Sequence, residues 1–140
     1  MDELNQFICD RNGGVIKLLH RLFHFWRNVH MLEKIDSIEQ FDEVLKKESK
    51  FFLLKHSLTC PISHAAYKEY EKFANENQSV PTYFLAVQDS RPLSNEVAEK
   101  FQIKHESPQT ILFSNGEPLW NASHWKITNR SLTGAIAENQ

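Results

Sequence analysis

Four consecutive apolar residues, Phe51-Phe52-Leu53-Leu54, lead through Lys55-His56-Ser57-Leu58-Thr59 into Cys60-Pro61-Ile62-Ser63. The apolar run is bounded by polar residues and is too short for a helix of its own, so it predicts a buried strand. Pro61 has a fixed φ and no N–H, which suits the first position of a helix. Cys60 then falls at or next to the N-cap, where unpaired N–H groups and the helix dipole favour an anion. Thiols placed in this way become nucleophiles near neutral pH. The fold must therefore hold a strand, a loop and a helix in that order, with a cysteine at the junction.

Length and charge narrow the classes. A chain of 140 residues suffices for one domain with a core, and a net charge of -2 gives no reason to expect nucleic acid. Cys9 and Cys60 are too few for a secreted disulfide framework. No apolar run approaches the ~18 residues of a membrane span, and charge breaks every candidate signal-peptide core. The expected compartment is a reducing cytoplasm, where an exposed cysteine is more often catalytic than structural.

Residues 1–30 differ from the rest and are read as an N-terminal extension. After Asn12-Gly13-Gly14, a breaker cluster, Val15, Leu18, Leu19, Leu22, Phe25, Trp26 and Val29 recur at helical spacing. Lys17, Arg21 and Arg27 lie on the other face with His20 and His24. Such a helix docks on its own domain or on a second copy of the chain as a homodimer, or lies on a membrane surface. His20, His24 and His30 have no cysteine or carboxylate placed to complete a metal site, so no metal is expected.

Residues 31–140 read as one domain. Ser37 with Gln40 forms a capping box for a helix over Ile38–Glu48, with Ile38, Phe41, Val44 and Leu45 inward. Strand Phe51–His56 follows, then helix Pro61–Asn77 with Ile62, Ala65, Ala66, Tyr70, Phe73 and Ala74 inward. Val80–Val87 is a strand, and Ser94 is expected to cap a third helix through Phe101. Gln109–Phe113 and Pro118–Ala122 flank Ser114-Asn115-Gly116-Glu117, a hairpin turn. Thr128 or Asn129 opens the last helix, with Leu132 and Ile136 inward. Strands joined across a helix are parallel by right-handed crossover, and the hairpin adds antiparallel strands. The fold class is α/β, a three-layer α/β/α sandwich on a four-stranded mixed sheet.

This order resembles the thioredoxin fold. Thr59-Cys60-Pro61-Ile62-Ser63 after the strand, Phe101-Gln102-Ile103, and Ser107-Pro108-Gln109-Thr110-Ile111-Leu112-Phe113 with the Asn115-Gly116-Glu117 turn carry the resemblance. Thr-Cys-Pro-Ile-Ser with His105-Glu106-Ser107-Pro108-Gln109 is similar, more narrowly, to the monothiol bacilliredoxins, the YtxJ-type proteins of the bacillithiol system. The likeness covers about Leu32 to Ala137 and not the first thirty residues.

The resemblance implies a cis Pro108 against the catalytic cysteine, with Ser107 offering its backbone to an extended substrate. Cys60 is the expected nucleophile, Pro61 opens its helix, and Thr59 and Ser107 line the substrate side. Ser63 occupies the place of the second cysteine of dithiol thioredoxins. It cannot form a disulfide, but its hydroxyl can donate to a thiolate one turn away. The favoured substrate is then a mixed disulfide between a protein and a small thiol, with a second thiol or a reductase regenerating Cys60. The implied small thiol is bacillithiol, a cysteinyl glucosamine malate acting as co-substrate, with no bound cofactor. His124, Trp125 and Lys126 are expected beside it, Lys126 and the last helix's N-terminus taking the malate and Trp125 packing on the sugar. His56 and His64 flank the cysteine as acid–base candidates. Cys9 resolves Cys60 only if their Cα atoms come within ~7 Å.

Two other classes fit the same residues. One is a thioredoxin-like binding module with an inert Cys60. The other is a bacillithiol-dependent transferase or reductase acting on small electrophiles. Rapid alkylation of Cys60 excludes the first, and lack of turnover with small electrophiles excludes the second.

Overall fold

The structure, a computed structural model, describes residues 32–139. The proposed amphipathic helix, Cys9, His20, His24 and His30 lie outside these residues. The elements in order are β1 (Glu33–Lys34), α1 (Ile38–Lys47), β2 (Lys50–His56), α2 (Pro61–Glu76), β3 (Thr82–Ala86), α3 (Arg91–Phe101), β4 (Gln109–Ser114), β5 (Glu117–Ser123), a 3-10 turn (His124–Lys126) and α4 (Asn129–Glu138).

The sheet runs β1-β3-β2-β4-β5, five strands rather than the expected four. The additional strand, β1, has only two residues, both exposed, and pairs parallel to β3. β2 is parallel to β3 and antiparallel to β4, which pairs antiparallel with β5. Asn115 and Gly116 both take positive φ, 51° and 80°, which fits the twist of a two-residue hairpin.

Side chains alternate across β2, so its two rows serve two cores. Phe51 and Leu53 pack with Phe41, Tyr83, Leu85, Val97, Ile111 and Phe113 under α1 and α3. The Phe51 and Phe113 rings stack at 5.0 Å. Phe52 and Leu54 pack with Tyr70, Phe73, Leu112 and Leu132 under α2 and α4. Each such side chain withdrawn from water contributes about 1.5–3 kcal/mol.

The capping box at Ser37 and Gln40 is present, and Thr128 caps α4 through Ser131. Ser94 does not cap α3. The helix starts at Arg91 with Ser90 at the N-cap, and Ser94 is buried inside it. Pro92 in the first turn sets that start. Ala65, expected inward, faces solvent.

The described residues by themselves supply two cores, one on each face of the sheet. A chain starting at Met31 is therefore expected to fold and to keep a reactive Cys60. Melting curves, light scattering and iodoacetamide labelling of both lengths check this. An unfolded shortened chain would move the domain boundary into the first thirty residues.

Candidate active site

Cys60 stands at the N-cap of α2 in extended backbone (φ -97°, ψ 123°), with Pro61 in the first turn and no cap bond from its side chain. The residue is partly exposed and is a free thiol. Its carbonyl accepts from the His64 N–H at 3.1 Å, closing the first turn beneath it. A 16-residue helix starts at this sulfur. The sulfur is therefore open to a partner and stands where the backbone favours negative charge.

Ser63 lies one turn further on and is fully buried. Its Oγ accepts from the Ser57 N–H at 2.7 Å and is 3.1 Å from His56 Nδ1. The expected contact with Cys60 is not among the hydrogen bonds it makes. Ser63 instead ties the end of β2 and the loop before Cys60 to α2. Burial pushes the His56 imidazole below the usual histidine range, and nearby His64 adds to this, against the opposing bond with Ser63. His56 is thus mainly neutral near pH 7, its ring 4.9 Å from that of Tyr67. His64 is exposed.

Gln88, after β3, braces the same loop from the other side. Its Oε1 accepts from the Leu58 N–H at 3.1 Å, and its Nε2 donates to Ser57 Oγ at 2.9 Å and Thr59 Oγ1 at 3.4 Å. Nothing in the local pattern around Gln88 marks it. The available clue is its place just past the carboxyl end of a parallel strand, where α/β sheets put their sites.

The segment before β4 lies at the same end of the sheet, because Gln109 pairs with Lys55 near the end of β2. The Ser107–Pro108 peptide is cis. The ladder registers begin at Gln109, so Ser107 lies outside the paired rows. The Pro108 carbonyl accepts from the His124 N–H at 3.0 Å, which ties this segment to the 3-10 turn. His124 takes a left-handed φ of 55° to make that corner. The turn packs against α2, on the helix that Cys60 begins. His124, Trp125 and Lys126 are all exposed, and Trp125 at 72% is no lid over the core. Glu106 lies alongside, its carboxyl held below the usual range by the Ser123 hydroxyl, with His124, Lys104 and Lys126 adding to it.

The start of α4 already has a carboxylate of its own. Asn129 N–H donates to Glu69 Oε2 at 2.8 Å, and Ser131 N–H to Thr128 Oγ1 at 3.0 Å. An anion at this corner would therefore meet Lys126 and His124 rather than those two amides. Among the described residues no cluster of side chains is arranged to hold a metal ion, and no helix is long and apolar enough to cross a membrane.

A family model described as monothiol bacilliredoxin BrxC matches residues 33–132. The chain belongs to this family. A solved protein described as a candidate oxidoreductase with a thioredoxin fold is 43% identical, with a TM-score of 0.71, the match covering 80% of this chain and 97% of that one. Thioredoxin from Trypanosoma brucei brucei is 15% identical, TM-score 0.66, covering 79% of this chain and 92% of its own. Thioredoxin from Malassezia sympodialis is 18% identical, TM-score 0.65, covering 78% and 90%. The last two matches establish the fold alone.

As a bacilliredoxin the chain is a thioredoxin-fold redox protein with one sulfur in its motif. The structure brings Thr59, Cys60, Pro61 and Ser63 together on the loop and first turn of α2. It joins Ser107 and Pro108 to His124, Trp125 and Lys126 through the Pro108–His124 bond. Thiol redox chemistry needs a sulfur that a reactant can reach, and Cys60 is partly exposed.

Proposed function

We propose that this bacilliredoxin reduces mixed disulfides between proteins and bacillithiol in a reducing cytoplasm. The observation that carries the reading is the occupancy of position 63. A buried serine, engaged by Ser57 and His56, stands where a dithiol motif would keep its resolving sulfur. A disulfide formed on Cys60 therefore finds no resolving sulfur within the motif, and an outside thiol takes that part.

The Cys60 thiolate attacks the bacillithiol sulfur of the mixed disulfide. The new Cys60–bacillithiol disulfide forms as the protein thiolate departs and takes a proton. A second bacillithiol thiolate then attacks the bacillithiol sulfur, releasing the Cys60 thiolate and bacillithiol disulfide, which a separate reductase returns to thiol. Ser107 presents its backbone to the substrate segment. Lys126 faces the malate carboxylates, and Trp125 packs on the sugar.

The test is turnover of one protein carrying either bacillithiol or glutathione as its mixed disulfide. Bacillithiol should be removed faster. Lys126→Glu should raise KM for the bacillithiolated form roughly tenfold, by replacing an attraction to a dianion with a repulsion, and change the glutathionylated form less. Equal rates for both forms in the parent chain would refute the proposed thiol. Rapid turnover of small electrophiles without a protein substrate would favour the transferase reading.

A further inference from the structure

Lys55 is fully buried, yet none of the ion pairs among the described residues includes it. It continues the row of Phe51 and Leu53 on β2 and ends the core under α1 and α3 at the Cys60 edge of the sheet. Its Nζ donates to the Ser94 carbonyl at 2.9 Å and lies 3.3 Å from His105 Nδ1. The Ser94 hydroxyl is 3.4 Å from the same nitrogen. An ammonium cannot accept, so Nδ1 accepts and the imidazole proton sits on Nε2.

Gln109 is the cross-strand partner of Lys55 and is also buried. Its Nε2 donates to the Lys104 carbonyl at 3.1 Å, and its Oε1 has no partner among the described residues. Two buried polar side chains from neighbouring strands thus rise to consecutive residues of one segment, Lys55 to His105 and Gln109 to Lys104. That segment runs directly into Glu106, Ser107 and Pro108. A methionine would fill the place of Lys55 without burying a charge, so stability does not account for the lysine.

We propose that Lys55 and Gln109 form a two-point anchor that positions the Lys104–Pro108 wall of the groove beside Cys60, making Lys55 a positioning residue for exchange with protein substrates. The inference rests on the reading that a protein mixed disulfide is the substrate. Lys55 also stands five residues before Cys60, on the strand that leads into the Cys60 loop, so the element that feeds that loop also holds the opposite wall.

The experiment compares the parent chain with Lys55→Met and His105→Ala. The second variant changes an exposed residue and removes only the acceptor. For a bacillithiolated protein, both should raise KM roughly tenfold with kcat within about twofold, since a small displacement of a substrate wall is enough for such a loss. Iodoacetamide, too small to need the wall, should alkylate Cys60 at the parent's rate. Tryptic cleavage after Lys104 should quicken about tenfold in both variants, while the β2 amides exchange no faster than in the parent chain. Parent-like KM and parent-like cleavage in His105→Ala would overturn the anchor, whether or not Lys55→Met folds. If the parent chain turns over no bacillithiolated protein, the substrate reading fails, and the cleavage rates alone decide the anchor.

Discussion

Replacing Cys60 with serine is expected to reduce thiol exchange to the uncatalysed background. The melting temperature should be unchanged or slightly higher. A serine hydroxyl is not ionised near neutral pH and cannot attack a disulfide, so no residual chemistry is left at position 60. The fold has little reason to suffer. Cys60 is partly exposed and belongs to neither core. It also makes no capping bond, whereas serine is among the best N-cap residues and contributes about 1 kcal/mol where it replaces a poor one. Turnover and thermal melts of the two chains side by side test both halves. Exchange that survives would move the nucleophile elsewhere. An unfolded variant would make Cys60 a packing residue and strengthen the binding-module reading.

Lys55→Met is expected to remove a pH dependence of stability that the parent chain shows between about pH 8 and pH 10. Burial pushes the Lys55 ammonium from its ordinary 10.5 down to about 8. Below pH 8 the folded and unfolded chains both hold the proton, and the cost of burying the charge weighs fully on the fold. Between pH 8 and 10.5 the folded chain has released the proton while the unfolded chain keeps it. The unfolded state then binds more protons, and stability rises with pH. At 1.36 kcal/mol per pKa unit, the rise attributable to this lysine is about 3 kcal/mol.

The buried tyrosines act in the other direction. Burial raises Tyr67, Tyr70 and Tyr83 above the usual phenol range, so they cost stability once the unfolded chain ionises near pH 10. That loss is common to both chains and cancels in their difference. Urea melts at pH 7, 8, 9 and 10 read that difference. It should shrink as pH rises, the variant holding its largest advantage at pH 7. Parallel curves would show that Lys55 is not carrying an unpaired charge in the fold. Together with the expected rise in KM, this describes a residue whose replacement makes the protein more stable and less able to hold its substrate.

What was legible in the sequence follows from how local each signal is. Pro61 after Cys60, Gln40 three residues after Ser37, and Asn115-Gly116 between apolar runs each fix a helix start or a turn through their own backbone preferences. The structure puts all three where those preferences require. The inward stripe of Val97 and Phe101 points to a helix start at Ser94, but Pro92, which fits only the first turn, moves the start to Arg91 with Ser90 at the N-cap. β1 offers two exposed residues, too few for any alternation, and exists only by pairing with β3.

The site shows the same division. Cys60, Pro61 and the Ser107-Pro108 pair are written in neighbouring residues. The partners of Ser63, Ser57 and His56, stand only six and seven positions away but across a loop whose path no pattern gives, and the brace from Gln88 and the role of Lys55 depend on segments 30 to 50 positions away, as between Leu58 and Gln88 or Lys55 and His105. A lysine at the end of a strand reads as solvated until the loop that crosses over it is known.

The most direct measurement is the intact mass of the protein after incubation with bacillithiol disulfide. One bacillithiol should be added, mapped to Cys60, removed again by free bacillithiol and absent from Cys60→Ser. An unmodified chain, or an adduct confined to Cys9, would contradict the assignment of Cys60 as the exchanging thiol.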